Sequence, residues 1–194
     1  KIPAVNVKLM INSGKKNETP GQQGYSEICA TMLLKGNKKY TEEQQTDKAF
    51  KLGADLTTDA TFDHTYVGAN LLSKDLDAGM DLFSAAILTP LFDKDKLAQE
   101  IAYIIDYNNL NKMDIADLTS IFSRYSLYST ANPLGRHYYK KQLQEITPEK
   151  LREYHDFNFT SKNASIVVCG NFNVAEIKQV IEKYFGAWTS TFGE

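Results

Sequence analysis

The order in which strand-period and helix-period segments follow one another is the strongest constraint on what this chain can fold into. Val5, Val7, Leu9 and Ile11 alternate with polar residues and predict a half-buried strand that ends at Ser13 and Gly14. A polar stretch turned at Pro20 and Gly21 follows. Ile28, Met32 and the Leu33–Leu34 pair then recur at helical spacing between Gly24 and the stop at Gly36 and Asn37. Thr41 with Gln44 forms a capping box for a second helix, with Ala49, Phe50 and Leu52 as its expected apolar face and Gly53 at its end. Residues 55–62 and 64–72 read as a hairpin turned near Asp63.

Four helical patterns come next. The first runs through Leu76, Met80, Phe83, Ala86 and Ile87 and stops at Pro90; the second runs through Leu97, Ile101, Ile104, Ile105 and Tyr107. The third runs through Leu118, Ile121, Phe122 and Tyr125 to the turn Asn132, Pro133, Leu134, Gly135. The fourth starts on the cap Thr147, Pro148, Glu149 and carries Leu151 and Tyr154. A buried strand is expected over residues 164–169. A last helix through Val174, Ile177, Val180, Ile181 and Phe185 closes at Gly186. This is not the strict alternation of a doubly wound fold. It predicts an α+β architecture, an antiparallel or mixed sheet with helices packed on one face. With no Pro- or Gly-rich linker and no internal repeat, residues 1–194 are expected to form a single domain.

Composition narrows the function. Lys+Arg 22 against Asp+Glu 24 leaves a net charge of −2, which provides no field to hold a polyanion, so no nucleic-acid partner is expected. No apolar run approaches the ~18 residues of a membrane span. Cys29 and Cys169 read as small buried thiols. His64, His137 and His155 are not spaced to share a metal on one helix and read as solvated or hydrogen-bonded side chains. Neither a Gly-x-Ser-x-Gly elbow nor a glycine-rich phosphate loop is present.

A set of short motifs, taken in order, says more. Gly24-Tyr-Ser-Glu-Ile-Cys-Ala-Thr-Met-Leu-Leu-Lys-Gly36 is followed by Lys39-Tyr-Thr-Glu-Glu, Leu52-Gly-Ala-Asp-Leu and Asp63-His-Thr-Tyr. Then come Leu88-Thr-Pro-Leu-Phe, Asn132-Pro-Leu-Gly, Ile146-Thr-Pro-Glu-Lys-Leu, Asn163-Ala-Ser-Ile-Val-Val-Cys-Gly-Asn and Tyr184-Phe-Gly-Ala-Trp188. Over nearly the whole chain this series resembles the insulinase/pitrilysin (mitochondrial processing peptidase-like) family of zinc metallopeptidases. The first motif is similar to its G-x-x-H-x-x-E-H-M-L-x-x-G helix. The resemblance puts the first zinc-binding His position at Glu27, the general base at Ala30, the second His at Thr31 and the distal ligand at Tyr107. Each of these is lost. Glu27, Glu100 and Asp106 could supply oxygen ligands for another ion, but three carboxylates scattered on two helices read instead as solvated faces.

The resemblance therefore implies a domain without cofactor, inactive alone, although its family comprises zinc metalloendopeptidases. Zinc is expected only in a partner or another domain. This chain would form chamber wall and contacts for peptide hydrolysis by a zinc-bearing domain or subunit. The alternative is a structural or peptide-binding module of the same fold with no protease role. Thr57, Thr58, Asp59 and Ala60 match the family's edge strand and are the expected peptide contact, a strand-addition mode. Residues 121–125 and 136–139, rich in aromatics and Arg, are the expected docking surface. The family pattern also implies that the chain is part of a longer protein, bacterial and placed in the periplasm or cell envelope, with the cytoplasm left open.

Overall fold

The alternation read at the N-terminus sorts a sheet into a buried and an exposed face. In the computed structural model, which describes residues 3–111, 115–137 and 140–188, the strands are β1 (Ala4–Ile11), β2 (Asp55–Ala60), β3 (Thr65–Leu72) and β4 (Ala164–Gly170). They form one antiparallel sheet in the order β2-β3-β1-β4. Val7 of β1 lies opposite Ala69 and Val168, and Leu9 opposite Val67 and Ile166. Val5, Val7, Leu9, Ile11, Val67, Ala69 and Leu71 all point to the buried side. On the other face Asn6 Nδ2 donates to Asn70 Oδ1 at 2.6 Å, and the Lys8 ammonium sits 4.1 Å from the Tyr66 ring centroid. That face is a solvated polar surface.

The α-helices of the described residues are α1 (Tyr25–Met32), α2 (Glu42–Leu52), α3 (Leu76–Leu88), α4 (Lys94–Asn111), α5 (Ile115–Tyr128), α6 (Lys140–Gln144), α7 (Pro148–Asn158) and α8 (Val174–Phe185). Ile28, Met32, Met80, Phe83, Ile87, Leu151 and Ile177 join the inner face of the sheet in one apolar cluster. The α+β reading, with helices on one face, is the observed one. Its caps work as read. Thr41 Oγ1 accepts the Gln44 amide while Gln44 returns the bond, and Gly53 takes the left-handed conformation at φ 59° that an L side chain resists. Among the described residues, no helix is long and apolar enough to cross a membrane.

Several local expectations are corrected. β4 is an edge strand, not a buried one: Val167 is 57% exposed and Cys169 is exposed, because odd positions there face the open side of the sheet. Only Cys29 is a buried thiol, and burial pushes its pKa well up. Phe50 is 84% exposed. The inward residue of α2 is Gln45, whose amide accepts from Asn37 Nδ2 at 2.7 Å and donates to the Leu34 carbonyl. The inward face is thus Gln45, Ala49 and Leu52, and Phe50 lies off it. Val174 is also exposed, and the short α6 has no signature in the sequence because five residues carry little periodicity.

Candidate functional site

Helix α1 carries the positions at which a metal site is expected, so its placement comes first. Its N-cap, Gly24, lies in the left-handed region at φ 94° and offers no capping side chain. Glu18, eight residues upstream of Ser26, supplies the acceptor instead. Its Oε1 accepts the Ser26 amide at 2.9 Å and the Ser26 hydroxyl at 2.6 Å, and its Oε2 accepts the Gly24 amide at 3.1 Å. A carboxylate at this end also meets the positive pole of the helix. Glu18 is buried, and burial raises its pKa above the ordinary value of 4.5, with the Ser26 and Gly24 hydrogen bonds opposing the rise.

A stability prediction follows from that direction. The folded carboxyl binds its proton more tightly than the unfolded one. Its stabilisation is complete below pH 4.5 and lost as pH rises through the folded value. Wild type should therefore gain on Glu18→Gln when pH is lowered from about 7 to about 4. Paired urea unfolding at the two pH values measures this, and a difference that is flat or widens toward neutral pH refutes it.

The expected metal positions lie on two packed helices, α1 and α4. The Glu27 carboxylate is ion-paired with Lys15 Nζ at 3.0 Å, both side chains partly exposed. Ala30 is buried and brings no donor atom. Thr31 Oγ1 donates to the Glu27 carbonyl at 3.1 Å, turning back on its own helix. Tyr107 is 55% exposed on α4 and stacks on Tyr103 with centroids 6.3 Å apart. One carboxylate, one hydroxyl, one methyl and one phenol do not fit a tetrahedral zinc site, which favours imidazole and thiolate. The three acidic residues weighed as an oxygen site are not gathered either. Glu100 is bound to Lys35 at 2.7 Å, part of a chain in which Glu42 joins Lys35 and Lys96. Among the described residues no group of three or more His, Cys, Asp or Glu side chains converges for a metal ion.

Thr57, Thr58, Asp59 and Ala60 lie on β2, which among the described residues pairs only with β3, at one edge of the sheet. Thr57 and Asp59 are exposed, Thr58 is half-buried and Ala60 is buried. The outer backbone groups of this strand can therefore take another strand. Of the expected docking surface, Phe122 and Tyr125 on α5 are exposed, 66% and 54%, while Tyr138 and Tyr139 lie outside the described residues. His155 is hydrogen-bonded as read, with Nε2 donating to the Ile87 carbonyl at 2.9 Å and Nδ1 3.1 Å from Asp156.

Beside the Glu18 cap, two further contacts have no signature in the sequence. Lys15 on Glu27 is a long-range pair that no spacing announces. Arg136, just past the Asn132–Gly135 turn, donates to the carbonyls of Glu18, Ala131 and Thr130. The adjacent Gly135 is packed so tightly that a Cβ would lie 2.0 Å from the Ser129 carbonyl oxygen.

Comparison with known proteins places this arrangement. Residues 1–137 match the family model described as insulinase (peptidase family M16), and residues 145–194 match the one described as peptidase M16 inactive domain. The protein described as uncharacterized zinc protease YmxG of Bacillus subtilis (strain 168) is 24% identical over 193 residues, covering 96% of this chain and 46% of its own length. The mitochondrial-processing peptidase subunit beta of Blastocladiella emersonii is 23% identical over 190 residues, covering 95% and 40%. The crystal structure titled peptidase M16 inactive domain from Pseudomonas fluorescens superposes with a TM-score of 0.91 at 19% identity, over 100% of this chain and 48% of that one. The chain spans less than half the length of these relatives. With a family model covering more than half of it, the chain belongs to the insulinase family of peptidases, M16.

Proposed function

We propose that this chain is a zinc-less, non-catalytic half of an insulinase-type peptidase, supplying chamber wall and peptide contacts to hydrolysis carried out by a zinc-bearing domain or partner subunit. The observation that carries the reading is the donor set on α1 and α4. Glu27, Ala30, Thr31 and Tyr107 occupy the helix positions but bring no imidazole, and Glu27 is already neutralised by Lys15. The match of residues 145–194 to the inactive-domain description supports the same view.

Two surfaces support the contact role. Among the described residues β2 has one unpaired edge, and its exposed side chains are short and polar, suited to main-chain pairing with an extended peptide of varied sequence. Helix α5 exposes Ile115, Phe122, Tyr125 and Leu127, more apolar surface than a solvated helix needs, which suits docking against another protein surface. The β2 contact is tested directly. A saturating unfolded peptide should protect backbone amides within residues 56–62 and shift their resonances. Unchanged exchange and unchanged shifts there sink the proposal.

A further inference from the structure

A small concavity of about 200 Å³ opens between the turn after β1, helix α5 and the 3-10 turn Pro133–Gly135. Lys15, Arg124 and Arg136 line it against a single carboxylate, Glu18, with Gln23 and Leu134 on its walls. Among the described residues these charges do not cancel, leaving positive charge in excess. Glu18 directs its oxygens at the amides of Gly24 and Ser26 and at the Ser26 hydroxyl, and Lys15 is held by Glu27. Arg136 spends Nε on the Thr130 carbonyl at 3.2 Å, Nη1 on Glu18 O at 2.7 Å and Nη2 on Ala131 O at 2.9 Å. All three acceptors are neutral. A guanidinium has five N–H donors, so one remains on each Nη, the number a carboxylate takes in a bidentate pair. Among the described residues Arg124 donates its Nε only to the Ser120 carbonyl of its own helix, at 3.4 Å.

Two guanidinium groups without carboxylate partners among the described residues thus line one small concavity. Like charges held close cost free energy, and an anion between them recovers it. Arg136 is also fixed in place by its three carbonyl bonds, so little side-chain entropy remains to be lost on binding. We infer that this concavity is a carboxylate-binding pocket, accepting a peptide's C-terminal carboxylate or an acidic side chain. The inference deepens the reading above, resting on the chain's role in contacting peptide, and it concerns a different surface from the β2 edge.

The test uses the whole chain and three short N-acetylated peptides of alternating alanine and valine. One ends in a free carboxylate, one in an amide, and one in an amide with an internal aspartate. The free-acid peptide should shift the amide resonances of Gln23, Leu134 and Gly135 and bind about ten-fold tighter than the plain amide, the usual size of a charge-assisted pair. Arg124→Gln, on an exposed helix face, should weaken it about three- to ten-fold, and added salt should weaken it too. If the aspartyl amide binds like the free acid, the pocket reads side chains as well. If it binds like the plain amide, the pocket reads chain ends. Equal affinity for free acid and plain amide overturns the inference. So does a free-acid response confined to residues 56–62, which would leave the β2 contact standing. Shifts at Gln23 and Leu134 without any at 56–62 would retain the pocket and remove the β2 contact.

Discussion

Dialysed wild-type protein is expected to hold well below one zinc per chain, and Glu27→His with Thr31→His to raise zinc affinity at least about ten-fold. Residues 27 and 31 are four apart on α1, so their side chains share one face of the helix. Neither position is deeply buried, and both current side chains make contacts that His can give up: an ion pair to Lys15 and a hydroxyl bond to the Glu27 carbonyl. Two imidazoles at that spacing form half of a tetrahedral site. Tyr107→Glu on the packed helix α4 should tighten binding further if residue 107 is the distal position. Isothermal titration after chelator treatment reads all three proteins. Stoichiometric zinc on the wild type, released by Glu27→Ala, would refute the reading of the site. Peptidase activity of the wild-type chain that a chelator abolishes would refute it equally. A double-His variant no better than wild type would show that α1 does not present the two positions together.

What sequence reading reached and what it missed divide along a physical line. Local chemistry was legible. The Thr41–Gln44 box, the Thr147–Pro148 cap and the alternation of β1 each determine structure within a few residues, and each is found as read. The misses depend on what lies opposite in space. Residues 164–169 are as apolar as a strand covered on both faces, yet among the described residues only one face of this sheet carries helices, so Val167 and Cys169, at odd positions, face outward. Phe50 is apolar but lies off the face that Gln45, Ala49 and Leu52 turn inward, and the polar residue Gln45 is buried because Asn37 and the Leu34 carbonyl satisfy its amide. The candidate site follows the same rule. The empty donor set at Glu27, Ala30 and Thr31 is a one-helix pattern and could be read directly. The Glu18 cap, the Lys15–Glu27 pair and the Arg136 bonds to three carbonyls join segments up to 118 residues apart, and no periodicity encodes them.

The other large effect concerns the seam between the two matched regions. Residues 1–137 and 145–194 answer to different family descriptions, yet the sheet runs across the boundary. β1 of the first pairs with β4 of the second from Val5–Gly170 through Ile11–Ala164. Phe83 on α3, fully buried, meets Phe185 on α8 edge to face with centroids 6.1 Å apart, and Trp188 lies 5.8 Å beyond Phe185. Phe83→Ala removes an aromatic from a close-packed junction and should cost about 3–5 kcal/mol, a large part of the ~5–15 kcal/mol that holds a typical domain. Since the seam is a shared core, the loss should not uncouple the halves. Trp188 is the only tryptophan and reports on the second region, while far-UV circular dichroism reports on every helix. In both wild type and variant the two signals should change in one coincident transition, moved to lower denaturant by the substitution. A Trp188 transition that precedes the loss of helicity would mean that α8 and β4 unfold as a separate unit, and that the core joining them to α3 and β1 is weaker than its packing implies.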